Sequence, residues 1–71
     1  MPQFELDGVG PEAVTGLHRG RDAADAVRRA TTADAEVAEA ADASGWREVS
    51  IGGEPAGRVR DHAARMRFRR D

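Results

Sequence analysis

Thirteen large apolar side chains lie between Phe4 and Phe68, and this scarcity limits what the chain can fold into more than any motif does. Alanine supplies most of the other apolar positions. The 71 residues read as a single domain, residues 1–71. A chain of this length buries only about 60% of the surface that its unfolded form exposes. A core so thin is usually reinforced by disulfides, a metal or a second chain. Disulfides are excluded because there is no cysteine. His18 and His62 are the only imidazoles, too few for the Cys and His set of a structural zinc site. A second copy of the chain is the remaining reinforcement, so a homo-oligomer is expected, with no metal and no cofactor.

No stretch approaches the roughly 18 apolar residues of a membrane span. The start of the chain lacks the basic and apolar regions of a signal peptide. The expectation is a cytoplasmic protein with no membrane partner.

Charge is uneven along the sequence. Residues 1–57 carry five Arg against eleven acidic residues, whereas residues 58–71 carry six Arg against two Asp. Such asymmetry can mark a binding face, or a basic strand lying against acidic parts of its own fold. Lys, Asn, Tyr and Cys are all absent, and every basic residue is Arg. GC-rich coding accounts for that pattern, so arginine content alone says little about function.

Residues 3–7 alternate polar and apolar, which predicts a half-buried strand with Phe4 and Leu6 inward. Pro11 is a favourable first helical residue. Val14 and Leu17 lie three apart, and Gly20 suits a helix stop. A short helix is therefore expected over residues 11–19, with His18 near its C-terminal end. Asp22 can cap a second helix, with Asp25 in its first turn and Arg28 and Arg29 in its last. Ala23, Val27 and Ala30 form its inner stripe. Residues 31–34 fit a capping pattern for a further helix, while Val37 and Ala41 continue the same stripe. Residues 22–44 thus read as two helices with a break near Thr31, or as one longer, kinked helix.

Residues 46–51 read as a strand, Gly52 and Gly53 as a tight hairpin turn, and residues 56–60 as the returning strand. Residues 61–64 suggest another turn. Residues 65–69 alternate, with Met66 and Phe68 inward and Arg65, Arg67 and Arg69 outward. The expected fold is α+β: three or four mostly antiparallel strands with two or three short helices on one face, in the order β-α-α-β-β-β. Phe4, Leu6, Val49, Ile51, Met66 and Phe68 should meet Val14, Leu17, Val27 and Val37 in the core.

No constellation combines a nucleophile, a base and a stabilising group, so no catalytic residue is assigned and no enzyme is expected. Residues 52–57 are rich in glycine but lack the spacing of a phosphate-binding loop, and they join two strands. Asp61 and His62 are adjacent, and strand neighbours point to opposite faces, so adjacency makes no catalytic dyad. Asp34, Glu36, Glu39 and Asp42 read as a solvated acidic face. Trp46 reads as a core residue or, alternatively, as an interface anchor.

The arginines of the last strands carry the one suggestive pattern. Arg58 and Arg60 share a face, as do Arg65, Arg67 and Arg69, and a hairpin would merge the two rows into a basic patch able to bind phosphates. No Tyr or exposed Phe is expected among them to stack bases. The leading functional reading is a small non-enzymatic protein-interaction module that associates with itself. The alternative is a small nucleic-acid-binding or polyanion-binding protein that uses the arginine face.

Overall fold

The computed structural model describes residues 1–62. Their elements are β1 (Gln3–Val9), β2 (Val14–Arg19), α1 (Ala23–Thr31), β3 (Ala35–Val37), β4 (Arg47–Ile51) and β5 (Glu54–Asp61). The strands form one sheet in the order β2-β1-β5-β4-β3, and every neighbouring pair is antiparallel. The fold is α+β, with five strands and one helix among the described residues.

Period-2 patterning places most of the core, and the register shift between Leu6 and Val9 turns Val9 to the same side. Phe4, Leu6 and Val9 of β1, Val49 of β4 and Val59 of β5 are buried on one sheet face with Ala35 of β3. Across them lies α1, which contributes Ala23, Ala26 and Val27. Small side chains on the helix let its axis approach the sheet closely. Ile51 and Val37 are partly buried at the margin of this cluster. The second sheet face carries Glu5, Asp7, Arg58, Arg60 and Glu48, as their cross-strand register requires.

Capping sets the limits of α1. Asp22 Oδ1 accepts from the Asp25 N–H at 2.8 Å, and Asp25 Oδ2 accepts from the Arg21 N–H at 2.8 Å. One free N–H of the helix's first turn and the N–H of Arg21, just before the cap, are thereby satisfied. Thr32 adopts a left-handed conformation, with φ of 55°, and its N–H returns to the Arg28 carbonyl at 2.7 Å. The helix ends where the sequence indicated a break near Thr31.

Several expectations need correction. Residues 11–19 are not helical: β2 begins at Val14 and pairs with β1 from Gln3↔Arg19 to Val9↔Val14. Pairing satisfies the backbone groups along β1, which a helix carrying only two large apolar residues would leave open. His18 accordingly lies opposite Phe4 and caps no helix. Gly20 is buried where β2 leads into α1. Leu17 belongs to the polar-face row, opposite Glu5, and is 41% exposed instead of buried. Residues 33–44 form no second helix either. The left-handed turn at Thr32 redirects the chain, and Ala35 and Val37 then alternate inward as β3. Among the described residues the sheet consequently has five strands instead of three or four. The expected strand over residues 65–69, with Met66 and Phe68, lies outside the described residues.

The hairpin expectation at Gly52 and Gly53 holds. Their φ angles of 61° and 80° are both positive, as the two-residue turn between β4 and β5 requires. Pro55 sits at the start of β5, opposite Ser50. No helix among the described residues is long and apolar enough to cross a membrane.

Candidate functional site

Two features of the open sheet stand out, and both follow from the register. The first is a ladder of charges around Trp46. Glu5 lies opposite Arg60, and Asp7 opposite Arg58, across the β1–β5 pair. Arg60 Nε donates to Glu5 Oε1 at 3.1 Å, and Arg58 Nε donates to Asp7 Oδ2 at 2.7 Å. Arg60 also donates from Nη1 to the Ser44 carbonyl at 3.1 Å. The guanidinium carbons of Arg58 and Arg60 lie 4.4 and 4.3 Å from the centre of the Trp46 ring, within the range of cation–π attraction.

Trp46 is thus half-buried against arginines and stands outside the hydrophobic core cluster. Asp42 positions it: Asp42 Oδ1 accepts from the N–H groups of Ser44 and Trp46, both at 2.9 Å. This local turn presents the indole to the start of β4. A cleft of about 670 Å³ opens beside the ring, between Ala38, Ala40 and Ala41 on one side and Asp7, Glu48 and Arg58 on the other.

Of the arginines singled out in the sequence, Arg58 and Arg60 do share one face, and each is paired with a carboxylate. Arg65, Arg67 and Arg69 lie outside the described residues. The expected acidic face is dispersed. Asp34 approaches Arg28 at 3.9 Å, Glu36 lies in β3, and Asp42 is engaged in its turn. Asp61 ends β5 opposite Phe4, and His62 follows it. Among the described residues, no group of three or more His, Cys, Asp or Glu side chains is placed to hold a metal ion.

The second feature is the β2 edge, which the sequence reading missed because it assigned these residues to a helix. Among the described residues β2 and β3 are the outer strands, and β2 is the longer, with six residues against three. The Gly20 N–H donates to the Pro2 carbonyl at 3.2 Å. Antiparallel pairs alternate between bonded and non-bonded types. Phe4↔His18 and Leu6↔Gly16 are therefore the bonded pairs, and the backbone N–H and C=O groups of Leu17 and Arg19 point outward. Leu17, 41% exposed, sits in the middle of this row. The strand contains no Pro and no Lys, two common means of keeping an edge unpaired, and the irregularity of its pairing with β1 is confined to the Leu6–Val9 end.

No family model, curated protein or solved structure matches the chain.

Proposed function

We propose that the chain is a small non-enzymatic protein-interaction module that associates with itself. The carrying observation is the β2 edge, whose outward backbone groups and exposed Leu17 offer both hydrogen bonds and apolar area to another strand. The thin core supports the same reading, since a small domain without disulfides gains most from a partner. Sedimentation at tens of micromolar is the test. A species heavier than the 7.6 kDa chain is expected, and the chain mass alone at every concentration overturns the proposal.

A second reading is nucleic-acid or polyanion binding by Arg58 and Arg60, extended by Arg65, Arg67 and Arg69. The observation in its favour is the Trp46 ring beside both arginines, with a cleft of about 670 Å³ next to it among the described residues. Against it, both described arginines already face carboxylates of β1. Titration with single- and double-stranded DNA and RNA at low salt separates the two readings. Salt-sensitive binding favours this one, and no binding removes it.

A further inference from the structure

We infer that the partner of the β2 edge is a second copy of the same edge, paired antiparallel about a two-fold axis at Leu17. The inference rests on the self-association proposed above and adds its surface and register. The outward-facing backbone groups belong to Leu17 and Arg19, and strand alternation adds Thr15. A two-fold centred on Leu17 pairs Leu17 with the partner's Leu17 and sets Thr15 opposite the partner's Arg19. A single strand can serve as both halves of this contact, as a closed two-fold interface requires.

Side chains favour this register over those centred on His18 and Arg19. Leu17 and the partner's Leu17 meet directly, so the exposed apolar side chain at the edge covers itself. On the other face, His18 lies over the partner's Gly16, where no side chain intrudes and nothing stands within 4 Å of the Cβ position. Arg19 has no ion-pair partner among the described residues. In this register it faces the partner's Thr15. Centring the axis on His18 would oppose two imidazoles and set Leu17 against an arginine. Centring it on Arg19 would oppose two guanidinium groups. The result is one continuous antiparallel sheet, with the α1 helices of both copies on the same face.

The absence of cysteine makes the test direct. In a bonded antiparallel pair, Cα atoms lie about 5.5 Å apart, within disulfide reach. Leu17→Cys, oxidised with glutathione disulfide, is therefore expected to form a covalent dimer. Thr15→Cys alone is expected to remain uncrosslinked, because its two copies are separated by four residues, about 13 Å. A mixture of Thr15→Cys and Arg19→Cys is expected to crosslink as the mixed pair. Circular dichroism confirms that each variant retains the wild-type fold. If wild type sediments as a dimer but Leu17→Cys fails to crosslink, or Thr15→Cys crosslinks equally well, the register is overturned while self-association stands. If wild type sediments only as the 7.6 kDa chain, both fail.

Discussion

A Cβ placed on Gly57 would stand 2.5 Å from the carbonyl oxygen of Gly8, so β5 approaches β1 more closely here than any side chain permits. The same atom would lie 2.7 Å from Val9 Cα. Gly57 also has a φ of 106°, at the irregularity where the β4–β5 register slips between Glu48 and Ser50. On either edge, β5 pairs with β4 through the hairpin and with β1 through the charge ladder.

Gly57→Ala is accordingly expected to lower stability by about 2–4 kcal/mol, from overpacking and an unfavourable φ together. Gly53→Ala is the control. It has a positive φ of 80° but nothing within 4 Å of its Cβ position. Its cost should be only about 1 kcal/mol. Urea midpoints measure both, and equal losses would show that close packing at Gly57 contributes nothing.

The two arginine pairs should differ in strength. Arg60 and Glu5 are shielded, with side chains 17% and 23% exposed, whereas Arg58 and Asp7 are 50% and 43% exposed. Double-mutant cycles should give about 1 kcal/mol for Arg60–Glu5 and less for Arg58–Asp7. Added salt should weaken the exposed pair more. Equal coupling in both, insensitive to salt, would contradict the assignment.

Asp25 should contribute to acid sensitivity. The Arg21 backbone N–H bonded to its carboxylate, helped by the Arg29 guanidinium at 3.0 Å, holds its pKa below the ordinary value of 3.8. A lowered folded pKa stabilises the fold above the unfolded value and loses that contribution as pH falls through the folded one. Asp25→Asn should therefore flatten the acid limb of a stability–pH curve. An unchanged limb would remove Asp25 from the cause.

Local chemistry made part of this fold legible. Asp22, Asp25, Arg28 and Arg29 mark α1 because capping and dipole effects act within one helical turn. Gly52 and Gly53 mark their hairpin for a similarly local reason. β2 was hidden because Val14 and Leu17 are three residues apart, which suits a helix, and the pairing that makes them a strand comes from β1. β3 was hidden by alanines spaced at almost every period, although residues 34–37 also alternate. The shared face of Arg58 and Arg60 follows from a spacing of two. Their partners Asp7 and Glu5 lie 51 and 55 residues away in sequence, and only the sheet register brings them together.

Amide hydrogen exchange along β2 tests the central claim most directly. His18 and Gly16 point their N–H groups toward β1, while Leu17 and Arg19 point theirs outward. At low concentration, His18 and Gly16 should be protected and Leu17 and Arg19 should exchange freely. As concentration rises, exchange at Leu17 and Arg19 should slow by about tenfold or more, while the other two change little. Free exchange at Leu17 and Arg19 at every concentration, with the rest of the sheet protected, would contradict self-association through this edge.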